Sequence, residues 1–312
     1  MKAAYLTERT GPEGLTLGEI PLPQPGQGEV LVEVHATAST PTEFSWSPTF
    51  QTRDGAPRSF PIILSHEFSG VVKATGDAAG GLKVGDEVYG MNDWFVNGAQ
   101  AEFCVAPSGA VAPKPSVLKH TEAAVVPISA LTAWQGLFDR CNLRAGERVL
   151  IHGGAGGVGL FAVQLAHWRG AYVLATASTA NLNFVRSLGG DEVIDYKTTP
   201  FEKVADEIDV VFDAVGGETL ERSWTVLRPG GRVVTIVDES ESAPKRAREA
   251  FFIVEPNQKQ LAEIGRLLDG GVIRVYVEAV FPLTETREAY ARAQRGGMHG
   301  KIALKVRNGA VR

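Results

Sequence analysis

The segment with the most definite chemistry is residues 148–159, RVLIHGGAGGVG, in which Gly154, Gly156 and Gly159 form a G-x-G-x-x-G pattern. An apolar run precedes it. After it, Val158, Phe161, Ala162 and Leu165 recur at helical spacing and predict one apolar stripe that packs on a sheet. Glycines at these positions allow a tight turn, let backbone amides approach a pyrophosphate, and bring the helix close to the sheet with its positive dipole end toward the phosphates. Gly156, Gly157 and Val158 are expected to offer those amides. His152, at the end of the apolar run, is expected to be structural.

A dinucleotide site that prefers an unphosphorylated ribose usually carries an acid at the end of its second strand. That position falls in residues 174–178, LATAS, where there is no Asp or Glu. Thr176 and Ser178 are expected to offer hydroxyls there instead. The missing acid favours NADPH over NADH. Arg186, further along the next helix, is read as a solvated surface charge.

Only two cysteines occur, Cys104 and Cys141, and they form no CxxC pair. That excludes a disulfide framework and a thiolate-rich zinc lobe. Both are expected to be inert packing residues.

The elements that must position these groups differ in texture along the chain. Residues 1–118 are β-rich: residues 29–36, 68–74 and 87–89 are β-prone runs separated by Gly and Pro clusters, which predicts a small barrel-like domain. Residues 119–271 alternate strands with helices, the pattern of a doubly wound parallel sheet. Its strands are predicted at 149–152, 172–176, 193–196, 209–214, 232–237 and 251–254. Residues 272–312 are β-prone at 275–281 and 301–306 around a helix at 285–294, which returns the chain to the first domain.

The length of 312 residues suits two domains, and a net charge of −5 with 21% charged residues gives no basic face for nucleic acid. The N-terminus has no apolar stretch of a leader type, and no run approaches the roughly 20 apolar residues of a membrane span. A cytoplasmic protein with no nucleic-acid or membrane partner is the expectation.

The whole pattern resembles the medium-chain dehydrogenase/reductase superfamily, and within it the zinc-less quinone oxidoreductase, zeta-crystallin-like branch. The resemblance is carried by LSHEFSGV (64–71), VGDEVYG (84–90), LTAW (131–134), the glycine turn, LGGDEVIDY (188–196), DAVGG (213–217) and GKIALKV (300–306). It implies a GroES-like catalytic domain plus a Rossmann domain, a cleft for nicotinamide and substrate, and a homodimer. It places Thr132 near the nicotinamide, Ser178 and Tyr196 around the adenosine 2′-phosphate, Asn181 where many members present a Lys to that phosphate, and Ile236 in the cofactor set. Zinc-dependent members of the superfamily hold the metal with two Cys and one His or Glu. Here His66-Glu67 keeps one position, but the others fall within 39–43 (STPTE) and at about Ile128, so no zinc is expected and His66 is read as a hydrogen-bonded structural residue.

Without a Lewis acid, such a site suits hydride transfer from NADPH to a quinone or other electron-poor carbonyl. Thr40, before Pro41, is the candidate to bond the acceptor or the cofactor. Phe44, Trp46 and Trp94 are candidates to stack on a flat acceptor, with packing of the loop onto the barrel as the alternative. Tyr89 is considered as a proton donor beside solvent water. Alternative readings on the same fold are an alkenal or enoyl C=C reductase, a crystallin-like protein that binds cofactor without turnover, and a zinc alcohol dehydrogenase.

Overall fold

A computed structural model describes residues 1–237 and 243–307. The chain divides into two compact units, Met1–Ile128 with Pro256–Arg312 as the first and Ser129–Glu255 as the second, which is inserted into it. Residues 119–128 and 256–271, which their helical texture had assigned to the inserted domain, therefore belong to the first unit. The helix Gln258–Asp269 shows why: it buries Leu261, Ile264, Leu267 and Leu268, and Tyr89 donates its hydroxyl to the Leu261 carbonyl at 2.5 Å. Helical periodicity states that a face is buried, not which sheet covers it.

The first unit opens with eight strands, β1 (Lys2–Leu6), β2 (Thr16–Glu19), β3 (Glu29–Ser39), β4 (Ile62–Ile63), β5 (Glu67–Thr75), β6 (Glu87–Met91), β7 (Phe103–Pro107) and β8 (Val111–Pro113). The second unit holds β9 (Arg148–His152), β10 (Tyr172–Ala177), β11 (Glu192–Asp195), β12 (Ile208–Asp213) and β13 (Leu227–Thr235). The chain returns to the first unit with β14 (Val277–Pro282) and β15 (Lys301–Lys305).

In the first unit one sheet runs β14-β15-β3-β5-β6-β8, with β7 also paired to β3, and a smaller sheet runs β2-β1-β4. Val30, Val32 and Val34, at every second position of β3, enter a core with Phe68, Val72, Val88 and Val111. Two register shifts in the β3–β5 ladder, at Leu31/Val32 and Val34/Ala36, bend the strands as bulges do and curl the sheet. Gly70 lies opposite Val34, where a Cβ would stand 2.0 Å from the Glu33 carbonyl oxygen. No side chain fits there.

The second unit is a five-stranded sheet of order β11-β10-β9-β12-β13 with every pairing parallel. All six residues of β12 are buried, as both faces of such a sheet are covered by crossovers. Strand order reverses between β9 and β12, so the carboxyl ends of those two strands form the switch point where doubly wound folds bind ligands. Two sequence expectations change here. Residues 251–254 make no strand: Phe251 forms a single bridge to Thr235, and Glu255 and Gln135 exchange two hydrogen bonds of 2.7 and 3.0 Å instead. The helix Gly159–Trp168 buries every residue from Gly159 to Ala166, so it is covered all round and not along one stripe.

Candidate functional site

The turn after β9 is shaped by sterics that the glycine pattern only partly announces. Gly153, outside the G-x-G-x-x-G spacing, has φ +75° and makes the reversal. A Cβ on Gly159 would meet the Gly153 carbonyl oxygen at 2.1 Å, and one on Gly154 would meet Ala175 and Val185 at 3.2 Å. The cradle exists because those two positions carry no side chain. The Gly156 amide donates to the Gly153 carbonyl at 3.0 Å, so it closes the turn and is not offered to a ligand, contrary to expectation. The amides of Gly157 and Val158 have no hydrogen-bond partner among the described residues. They stand at the start of the helix Gly159–Trp168, where unpaired N–H groups and the helix dipole favour an anion.

A chain of hydrogen bonds ties this turn to the second strand. The Gly153 N–H donates to Thr176 Oγ1 at 3.2 Å, and that oxygen lies 3.2 Å from His152 Nδ1. On the other side of the ring, Nε2 lies 2.9 Å from Ser223 Oγ, whose own proton goes to the Thr219 carbonyl at 2.7 Å. Only one arrangement satisfies every member: Nε2–H donates to Ser223, and Thr176 donates to a bare Nδ1. His152 is thus a neutral, buried spacer, and burial pulls its pKa down to about 3. Thr176 is 4% exposed, and its hydroxyl is committed to this chain, which removes it from the 2′-phosphate candidates.

At the carboxyl end of β10, Ser178 is partly exposed, Tyr196 is 60% exposed and Asn181 is buried. Asn181 therefore does not present its amide as a surface Lys would. Ala177 pairs with Asp195 in parallel register, and the Tyr196 N–H donates to the Ala177 carbonyl at 3.2 Å. Thr179 Oγ1 donates to Asp195 Oδ2 at 2.6 Å. Arg186 is exposed and bonds Asn183 on its own helix. At the end of β12, Asp213 accepts N–H bonds from Val215 and Gly216 and the Thr235 hydroxyl at 2.7 Å, which orders residues 213–217 at the switch point. Its carbonyl accepts the Ile236 N–H at 3.1 Å. The DAVGG run contains that acid, but its role as loop anchor required the neighbouring strand. Thr132 is buried on the helix Pro127–Trp134.

In the first unit, Thr40 precedes the turn Pro41–Ser45 and its buried hydroxyl has no hydrogen-bond partner among the described residues. The loop aromatics are more inward than a stacking surface requires. Trp94 is 7% exposed, rests on the His66 ring at 5.2 Å and meets Trp46 edge-on at 5.0 Å, while Phe44 packs edge-on against Tyr290 at 4.9 Å. Trp46 keeps partial exposure. Tyr89 is fully buried, with its hydroxyl donated to Leu261 and its pKa pushed up by burial, so it is unsuited to hand a proton to a substrate.

His66 is held as a wall residue. Its Nε2 bonds the Val96 carbonyl at 3.1 Å, and its Nδ1 lies 3.5 Å from Glu43 Oε1. The Glu43 carboxylate, fully buried, also accepts the Ser65 N–H at 2.6 Å. Glu67 points elsewhere: its oxygens take the Lys301 ammonium and the Ile128 N–H, the latter at 2.9 Å. Sequence reasoning missed this pair, and a separation of 234 residues leaves no local signal for it. Among the described residues no group of three or more His, Cys, Asp or Glu is placed to hold a metal ion. Cys104 and Cys141 are buried, with pKa values raised by burial, that of Cys141 to about 12. The donor set does not fit a zinc site.

Residues 26–116 match the model of the alcohol dehydrogenase GroES-like domain, and residues 188–304 that of a zinc-binding dehydrogenase. The 2-methylene-furan-3-one reductase of Solanum lycopersicum is 32% identical over 97% of this chain and 79% of its own. The chain belongs to the medium-chain dehydrogenase/reductase family. Quinone-oxidoreductase QR1, chloroplastic, of Triphysaria versicolor is 30% identical, with 95% of each chain covered. The solved quinone oxidoreductase of Coxiella burnetii superposes with a TM-score of 0.89 at 29% identity, over 98% of this chain and 99% of that one. Within the medium-chain dehydrogenase/reductase family the protein is an enzyme of the quinone oxidoreductase-like group, with a nicotinamide cofactor. No helix among the described residues is long and apolar enough to cross a membrane.

Proposed function

We propose that this medium-chain dehydrogenase/reductase is a zinc-independent, NADPH-dependent oxidoreductase acting on a quinone or another electron-poor carbonyl. The observation that carries the reading is the glycine cradle at the switch point, with the unpaired amides of Gly157 and Val158 at a helix start. Those amides bind the pyrophosphate, and Gly154, Gly156 and Gly159 keep the turn narrow enough for it to approach. Ser178 and Tyr196 border the adenosine ribose with Asn181 behind them, and Thr132 and Ile236 belong to the nicotinamide end. When bound, the nicotinamide supplies a hydride. The Thr40 hydroxyl gains a partner from the acceptor, which offsets the cost of leaving it buried and unpaired. Trp46, backed by Trp94, forms an apolar wall for a flat acceptor, with Phe44 on the same loop. Solvent water delivers the proton, because Tyr89 is engaged elsewhere. Zinc independence is supported by the donor set around His66, in which Glu67 is occupied by Lys301.

A second reading, reduction of a conjugated C=C bond, is favoured by the similarity to the 2-methylene-furan-3-one reductase. Titration with NADPH and NADH, followed by oxidation of NADPH with 1,4-benzoquinone, 9,10-phenanthrenequinone and trans-2-alkenals, decides between the two. Turnover of quinones, unchanged after a strong chelator, is expected. Turnover of alkenals alone selects the second reading, and cofactor binding without turnover of any acceptor makes the protein a binder. The same reading places the protein in the cytoplasm as a homodimer, which fractionation and sedimentation test.

A further inference from the structure

We propose that Asp195 opposes the cofactor's 2′-phosphate and thereby keeps discrimination between NADPH and NADH small. This deepens the cofactor reading above and rests on its placement of the adenosine ribose at the end of β10.

The sequence has no acid at the end of the second strand, and by that criterion nothing repels a 2′-phosphate. The fold supplies one from the third strand. β10 and β11 are parallel with Ala177 opposite Asp195, and the ladder is extended by the Tyr196 N–H to the Ala177 carbonyl, so residues 178–181 and 195–197 leave the sheet side by side. The Asp195 carboxylate is fixed at that exit. Oδ2 accepts the Thr179 hydroxyl at 2.6 Å, and Oδ1 accepts the Lys197 N–H at 3.0 Å. A full negative charge is thus held one residue beyond Ser178, at the level where a second-strand acid would meet the ribose.

The surroundings do little to cancel it. Thr176 spends its hydroxyl on His152 and Gly153, Asn181 is buried, and Arg186 is tied to Asn183 on its own helix. Lys197, two residues along the chain, is exposed, and an ammonium on a long stem in water exerts a screened attraction. The carboxylate, with two hydrogen bonds, is preorganised. A ribose 2′-hydroxyl donates to such a group, whereas a 2′-phosphate meets a like charge.

The test is calorimetric titration of the cofactor-free full chain with 2′,5′-ADP and with 5′-AMP, which needs no turnover. Asp195→Asn is expected to tighten 2′,5′-ADP by about fivefold or more relative to 5′-AMP, and Asp195→Glu, which keeps the charge, to leave the ratio near wild type. In the unmodified protein, raising the salt concentration is expected to improve 2′,5′-ADP relative to 5′-AMP, a measurement independent of how any variant folds. A ratio that Asp195→Asn does not move, or one that worsens with salt in the wild type, overturns the role of Asp195 and leaves the cofactor reading standing. Failure of the wild type to bind either nucleotide or NADPH overturns both.

Discussion

Replacing Gly159 with alanine sets two physical expectations against each other. Gly159 is the first residue of the helix Gly159–Trp168, and by intrinsic propensity alanine stabilises a helix by up to about 1 kcal/mol over glycine. The structure reverses the sign. The added Cβ would lie 2.1 Å from the Gly153 carbonyl oxygen, 2.8 Å from its carbon and 3.0 Å from the Gly154 Cα, all backbone atoms of the turn. Restoring ordinary contact requires a backbone shift of about 1 Å, and overpacking of that kind costs about 1–3 kcal/mol. The net expectation for Gly159→Ala is a loss of about 1–2 kcal/mol, or about 2–8 °C in Tm. Gly156→Ala is the control, because its Cβ would meet a single atom at 3.3 Å. Scanning calorimetry with and without NADPH measures both effects, and the Gly159 variant should also bind NADPH at least about tenfold more weakly. A Gly159→Ala protein as stable as wild type with the same Kd would refute the steric account of the cradle and the phosphate placement with it.

Three further outcomes follow from the site and its scaffold. Burial lowers the His120 pKa to about 4 and that of His35 as well, and the two rings lie 4.3 Å apart, tilted to one another. Because the folded state binds fewer protons than the unfolded chain, stability is full above about pH 6.5 and falls as the pH drops toward about 4. For His120 alone that is about 2 kcal/mol between about pH 7.5 and about pH 5, so urea midpoints of wild type and His120→Gln should converge on acidification. Lys301→Met leaves the Glu67 carboxylate buried without its counter-ion, which costs about 3–5 kcal/mol, and adding Glu67→Gln should restore most of it; no recovery in the double variant would show that packing, not charge, is at stake. Ser178→Asp should weaken NADPH about tenfold while sparing NADH, and an unchanged NADPH Kd would displace the 2′-phosphate from Ser178.

The strands that carry the site were legible because their apolar runs are periodic and punctuated by glycine. Residues 149–152, 172–176 and 209–214 differ from β9, β10 and β12 by a residue or two at the ends. The return of the chain to the first unit after the inserted one is also suggested by texture. The borders were not legible, because the helix Gln258–Asp269 looks the same whichever sheet it covers. Gly156, Thr176 and Tyr89 show a second limit. Each has the right type and position for a ligand, but the Gly156 amide, the Thr176 hydroxyl and the Tyr89 hydroxyl are already bonded inside the fold.

What the sequence determined by itself is the class of chemistry. A glycine run between a strand and a helix leaves room and unpaired amides for a pyrophosphate, since those properties are local to the backbone. What only the tertiary structure decided is which charges and hydroxyls face that place. Asp195 reaches the end of β10 because two parallel strands fall in register, and Lys301 reaches Glu67 across 234 residues of sequence. Electrostatic partnership depends on distance in space, and local sequence patterns carry no record of contacts made by distant segments.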